Sequence, residues 1–182
     1  MKTRQNVLLS RTKDKPNKEE AFNAMLLRNK ALIWHICSDY NLGKVWKVED
    51  CMQEVIVSLW RYFDTFEGRS SEQTWIYRVA TNTMLMLRRK DIKNPTTEQI
   101  DVHSEINDMS YEAHDDNSQL LRQLINELPE ENGMIIRAHL DGFSYKEIAE
   151  MTNLTEGTIA MRITRIKQQL KEMFEKESKE DI

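Results

Sequence analysis

Ser144-Tyr145-Lys146-Glu147-Ile148-Ala149-Glu150-Met151-Thr152-Asn153-Leu154-Thr155-Glu156-Gly157-Thr158-Ile159-Ala160-Met161-Arg162-Ile163 is the stretch that decides the fold. It reads as a helix, a tight turn and a second helix. Ala149 is small, so the second helix can cross close to the first. Asn153 stands at the turn, where the backbone needs a positive φ that Asn tolerates better than most residues. Leu154 and Ile159 are apolar wedges between the helices, and Thr155 is placed to N-cap the second one. Ile159, Ile163, Ile166 and Leu170 form one apolar stripe at helical spacing. The opposite face carries Thr158, Met161, Arg162, Arg165 and Lys167. A polar, basic helix face behind a small crossing residue is how a helix-turn-helix presents itself to a DNA major groove.

Working outward, the rest of the second block is helical in short pieces. One helix runs from Gln119 to Leu128 and stops at Pro129. The next runs from Glu130 to Asp141, with Gly142 as its C-cap, and a long helix runs from Glu156 to about Lys176. N-terminal to this block, residues 96–120 hold seven Asp/Glu and no Lys or Arg. No clean helical stripe emerges there, although Ile100, Val102, Ile106 and Met109 could cover a partner surface. Seven acids without a base make a solvated spacer or a mimic of a nucleic-acid strand.

The first block is helical too. Phe22, Met25, Leu26, Ile33 and Ile36 repeat at helical spacing between Ala21 and Tyr40. Met52, Val55, Ile56, Leu59, Trp60 and Phe63 do the same between Val48 and Phe63. Asp64 to Ser71 is loop by composition, and Glu72 to Lys90 resumes the helical pattern. With 5 Gly and 3 Pro in 182 residues, the chain has too few turns for an all-β fold. The expected architecture is therefore all-α: two small helical domains joined by an acidic linker. The boundaries are a basic tail over 1–20, a first domain over 21–95, a linker over 96–119, a second domain over 120–176 and a tail over 177–182.

Composition excludes several function classes. No apolar run approaches the ~20 residues of a membrane span, and no apolar segment near the N-terminus suggests a secretory signal. Cys37 and Cys51 give neither a disulfide framework nor a zinc quartet and read as reduced core thiols. No nucleophile–base pairing, phosphate loop or metal cluster stands out, so neither a catalytic residue nor a cofactor is expected. The formal net charge of −4 argues against a chain that grips DNA unaided.

The order of the parts carries a family resemblance. Asp50-Cys51-Met52-Gln53-Glu54 lies in an amphipathic helix. Phe63 to Phe66, Gly68-Arg69-Ser70-Ser71, Thr74-Trp75-Ile76-Tyr77-Arg78-Val79-Ala80-Thr81-Asn82 and Arg88-Arg89-Lys90 follow. Leu128-Pro129-Glu130 then leads into the helix-turn-helix. In that order these patterns resemble an extracytoplasmic-function (ECF) sigma factor of bacterial RNA polymerase, over about residues 20–95 and 118–175. The resemblance implies a region 2 helical bundle, a region 4 helix-turn-helix, a cytoplasmic location and no enzymatic activity. It implies core polymerase as partner, through the β′ clamp helices and the β flap, together with promoter DNA. An anti-sigma factor would be a further partner, though no residue identifies it.

The resemblance also assigns residues. Asp50, Gln53 and Glu54 correspond to the helix that grips the β′ clamp helices. Phe66, Arg69, Ser70, Ser71, Trp75, Arg78, Asn82, Arg88, Arg89 and Lys90 correspond to the −10 DNA surface. Phe66 to Gln73 match the pocket for a flipped base. Trp75 could equally belong to the core. Thr158, Ala160, Met161, Arg162, Thr164, Arg165 and Lys167 correspond to the helix in the −35 major groove. Two departures stand out. Ala160 and Met161 are apolar where relatives often carry polar residues, so they could meet a thymine methyl but cannot bond a guanine. Met86 stands where relatives often carry Asp, which removes the usual acid beside Arg89. A dimeric helix-turn-helix regulator that needs no polymerase, or a helical protein adaptor, would share parts of this pattern.

Overall fold

A computed structural model of the chain describes residues 17–41, 46–93 and 116–180. Among the described residues there are seven α-helices, one 3-10 turn and no strand. The helices are α1 (Lys18–Tyr40), α2 (Val48–Tyr62), α3 (Glu72–Lys93), α4 (Asp116–Glu127), α5 (Glu130–Leu140), α6 (Tyr145–Thr152) and α7 (Glu156–Glu180), with the 3-10 turn at Phe63–Thr65. Most of the basic tail and of the acidic linker, with Ile100, Val102, Ile106 and Met109, lies outside the described residues. α1 begins three residues before the apolar periodicity does. Glu19 and Glu20 fill its first turn, where acids suit the helix dipole.

The first block packs α1, α2 and α3 against one another around Phe22, Met25, Ile33, Ile36, Cys37, Cys51, Val55, Leu59, Ile76 and Met84. The second block packs α4 to α7 around Leu124, Ile135, Ile136, Ile148, Ile159, Ile163 and Ile166. Truncating a fully buried member such as Leu59 or Ile159 to Ala would cost about 2–5 kcal/mol. Trp60, placed by periodicity on the buried stripe of α2, is instead 40% exposed. It sits at the helix edge, with the Phe22 ring 5.0 Å away edge-on and the Lys18 ammonium over its face.

The helix-turn-helix closes as its sequence demands. Ser144 caps α6 by accepting from the Glu147 amide, while the Glu147 carboxylate accepts from the Ser144 amide. This Ser-x-x-Glu capping box was readable in Ser144-Tyr145-Lys146-Glu147. Asn153 takes φ 58° and ends α6. Thr155 Oγ1 accepts from the Thr158 amide at 3.2 Å and caps α7. Upstream, α5 ends in a Schellman motif. The Phe143 amide reaches Ala138 O, the Gly142 amide reaches His139 O, and Gly142 takes φ 86°.

The two blocks are docked on each other, which periodicity alone could not foresee. α3 packs against α6. Asp39 of α1 accepts from Arg137 of α5 at 2.8 Å, and the Arg137 guanidinium also lies over the Tyr40 ring, 4.7 Å from its centroid. Asp141 accepts from the Tyr77 hydroxyl at 2.8 Å on one oxygen and meets His35 Nε2 at 2.8 Å on the other. Phe143 tilts onto Tyr77, with ring centroids 4.7 Å apart, and Thr74 Oγ1 donates to Glu147 at 3.3 Å. Hydrogen bonding to Asp141 raises the His35 pKa above its ordinary 6.5 against the opposing effect of burial. Burial holds the Tyr77 and Tyr40 hydroxyls protonated well above the usual phenol range.

Candidate nucleic-acid interface

Asp50, Gln53 and Glu54 are all exposed on one side of α2. At helical spacing the same side continues through Val57 and Trp60, which are 51% and 40% exposed. The result is a polar patch with an apolar extension, a composition suited to a protein partner rather than to DNA. Val57 escaped the sequence reading. Its signal was an apolar residue lying off the buried stripe of its helix.

The loop from Phe66 to Ser71 leads from the 3-10 turn into α3. Gly68 takes φ 70°, a conformation that strains any side chain. Arg69 is exposed and pairs with Glu67. Ser70 is half-buried. Ser71 Oγ accepts from the Thr74 amide at 3.0 Å and so caps α3. Just inside α3, Glu72 accepts from Arg28 and from the buried Asn29 at 2.8 and 2.6 Å. The Arg28 hydrogen bond is the main reason its carboxyl lies below the usual range. The loop is thereby anchored at one end while Arg69 stays at the surface.

Along α3 the expected −10 residues divide. Trp75 is buried at 3% exposure, its ring 5.2 Å from that of Phe66, so it belongs to the core and supports the loop from beneath. Tyr77 is also buried. Arg78, Asn82, Arg89 and Lys90 are exposed, and Arg88 is half-buried. Arg78, Asn82, Met86 and Arg89 follow one another at steps of three or four and share one face, with Met86 66% exposed among them. Arg89 has an acid after all: its Nε donates to Glu130 of α5 at 2.9 Å. That acid comes from the other block.

On α7, Met161, Thr164, Arg165 and Lys167 are exposed, whereas Thr158, Ala160 and Arg162 are half-buried. Arg162 pairs with Glu131 of α5 at 2.6 Å. Lys167 Nζ lies 2.9 Å from His139 Nε2, and burial followed by the Lys167 charge holds that imidazole below its ordinary pKa. Two basic helix faces thus stand on two blocks, and the first turn of α5 touches both.

Among the described residues, no group of three or more His, Cys, Asp or Glu is arranged to hold a metal ion. No described helix is long and apolar enough to cross a membrane. Cys37 and Cys51 are buried and free.

Residues 25–92 match the family model of Sigma-70 region 2, and residues 118–170 match that of Sigma-70, region 4. The ECF RNA polymerase sigma-E factor of Escherichia coli K12 is 31% identical over 163 residues, which cover 82% of this chain and 84% of that protein. The chain belongs to the sigma-70 family, in its ECF group.

The sigma-E factor of Haemophilus influenzae is 27% identical over 165 residues, covering 84% of this chain and 86% of that protein. Two solved structures share the fold. One is the sigma factor RpoE of Bartonella quintana, in complex with the anti-sigma factor NepR. It has a TM-score of 0.59 and 22% identity, covering 85% of this chain and 97% of that one. The other is CnrH, in complex with the cytosolic domain of CnrY. It has a TM-score of 0.61 and 17% identity, covering 88% of this chain and 90% of that one. This ECF sigma factor binds core RNA polymerase and directs promoter recognition and transcription initiation. A regulator that works without polymerase would need only the C-terminal motif. Region 2 ahead of region 4 in one chain favours the sigma factor.

Proposed function

We propose a division of labour within this sigma factor. Residues 21–95 seat it on core polymerase and engage the −10 element, residues 96–119 connect, and residues 120–176 engage the −35 element. The exposed side of α2 carries the first role: Asp50, Gln53 and Glu54 face an Arg-bearing partner helix, the β′ clamp helices, with Val57 and Trp60 extending the contact. The second block adds a contact to the β flap. The observation that best supports this reading is the separation of surfaces. The acidic and apolar side of α2 and the basic side of α3 lie on different helices of one bundle, so polymerase and DNA need not compete for the same face.

In this mechanism the loop of Phe66, Arg69, Ser70 and Ser71 receives a base flipped from the −10 strand. Trp75 holds the floor of that pocket from the core. Flipping costs a few kcal/mol of unstacking, which stacking and hydrogen bonding in the pocket offset. Arg78, Arg88, Arg89 and Lys90 track phosphates, and Asn82 reaches a base edge. On α7, Arg162, Arg165 and Lys167 contact phosphates or guanines beside Thr158 and Thr164. Ala160 and Met161 favour thymine methyls. The protein catalyses no reaction itself, acts in the cytoplasm with polymerase, and is a target for an anti-sigma factor.

Run-off transcription with purified core polymerase on a library of upstream fragments tests this reading. Specific initiation should require the chain and should deliver both promoter elements. Asp50→Ala with Glu54→Ala should weaken core binding and leave free-protein DNA binding unchanged. A chain that shifted DNA but never supported a transcript would overturn the assignment.

A further inference from the structure

Pro129 is the N-cap of α5, and the two residues that follow it point in different directions. Glu130 reaches Arg89 on the exposed face of α3, in the first block. Glu131 reaches Arg162 on α7, in the second block. Two adjacent carboxylates therefore neutralise one arginine from each of the two basic surfaces. The first turn of a helix suits both charges, because its amide dipoles favour anions there. The pairs are not buried: Arg89 and Glu130 side chains are 58% and 36% exposed, and Arg162 and Glu131 are 32% and 51% exposed. Exposed pairs of this kind are weak and exchange readily.

We propose that Glu130 and Glu131 act as an internal phosphate mimic that occupies Arg89 and Arg162 until DNA displaces it. The inference rests on the reading of Arg89 and Arg162 as DNA-facing residues. Carboxylate oxygens on a guanidinium stand where phosphate oxygens would stand, so each arginine must exchange one anion for another. The exchange has two consequences. The free chain pays for DNA contact with a lost ion pair, which weakens its unaided binding. Release of Glu130 also removes a contact between the blocks, so phosphate binding at Arg89 loosens their docking.

The test uses the full-length chain, free and bound to core polymerase, with a mixed-sequence DNA duplex as probe. Glu130→Gln with Glu131→Gln keeps the side-chain shapes and removes both charges. Glu127→Gln with Glu150→Gln removes the same charge from exposed positions of α4 and α6 and serves as control. The free chain carrying the first pair should bind the duplex about two- to tenfold more tightly than the control, since each exposed pair is worth at most about a fivefold shift. Its log–log salt dependence should steepen by about 1–2, because arginines that were internally neutralised now release counterions. Equal affinity and equal slope for the two double variants would overturn the mimic. Arg89→Ala and Arg162→Ala, each in holoenzyme, separate the layers. Unchanged promoter binding would remove the DNA-facing assignment and the mimic with it. Weakened promoter binding, combined with identical double variants, would remove the mimic alone.

Discussion

Asp39→Asn probes the docking of the two blocks most directly. The Asp39 and Arg137 side chains are 20% and 7% exposed and meet at 2.8 Å. Removing one partner of a fully buried pair costs about 3–5 kcal/mol, because the other charge is left uncompensated. Here the cost is smaller. Asparagine keeps an acceptor oxygen, and Asn126 Oδ1 still accepts from Arg137 Nη2 at 2.5 Å. A loss of about 2 kcal/mol follows, which shifts the docking equilibrium by about 30-fold. Small-angle scattering should show expansion. Amide exchange should accelerate on the faces of α3 and α6 that meet, while the interior of each block keeps its protection. Adding Arg137→Met should restore part of the loss, because it removes the stranded charge. Scattering and exchange identical to the unmodified protein would refute the reasoning and remove Asp39–Arg137 as a clasp.

Three further outcomes are expected. The His35 pKa is raised in the docked form chiefly by its hydrogen bond to Asp141, with Asp39 adding to the effect and Arg122 opposing it. That contribution to docking is full below pH 6.5 and is lost as pH rises through the raised value; scattering across pH 5.5–8.5 should show loosening toward the alkaline end, and His35→Gln should flatten the profile. Asn153 stands at φ 58°, so Asn153→Gly should leave the melting temperature nearly unchanged, whereas Asn153→Val should cost about 1–2 kcal/mol in thermal unfolding. Burial pushes the thiols of Cys37 and Cys51 up to about 12 and about 11, so a thiol reagent at pH 8 should label neither in the folded protein and both in denaturant.

The sequence was most informative where one physical requirement selects one residue type. Asn153 at a positive φ, Thr155 at a helix start, Gly142 beyond a helix end and the isoleucine stripe of α7 each satisfy a local rule, and each stands where the rule put it. The candidate DNA surfaces were legible as residue types at helical spacing, but exposure was not. Trp75 and Trp60 show why. An indole suits a half-buried edge as well as a core, and only packing against Phe66 or Phe22 separates the two cases. The partners of Arg89 and Arg162 were illegible for another reason. Each lies about 30–40 residues away in sequence, at the start of α5: Glu131 meets Arg162 through the packing of α5 on α7 within the second block, and Glu130 meets Arg89 only through the docking of the blocks.

The connection between the blocks does not impose that docking. Residues 94–115 supply 22 residues, which covalent geometry allows to span at most about 75 Å. The arrangement seen here is therefore held by the contacts themselves: Asp39 with Arg137, Asp141 with His35 and Tyr77, Glu147 with Thr74, and Glu130 with Arg89. Apart from the contacts of Asp39 and of His35 itself, these contacts join α3, which carries the proposed −10 face, to α5 or to α6 and its preceding turn. Asp141 sits three residues before Ser144, the N-cap of α6, so the hydroxyl and imidazole that hold it also set the direction in which the helix-turn-helix leaves the bundle. A promoter whose two elements lie farther apart than the docked faces can be engaged only by breaking these contacts. The weaker of them, being exposed, can yield first to polymerase and phosphate. The more buried Asp39–Arg137 and Tyr77–Asp141 contacts add to the cost of opening, which is why loss of the Asp39 charge should expand the free protein and also lower the barrier to forming the promoter complex.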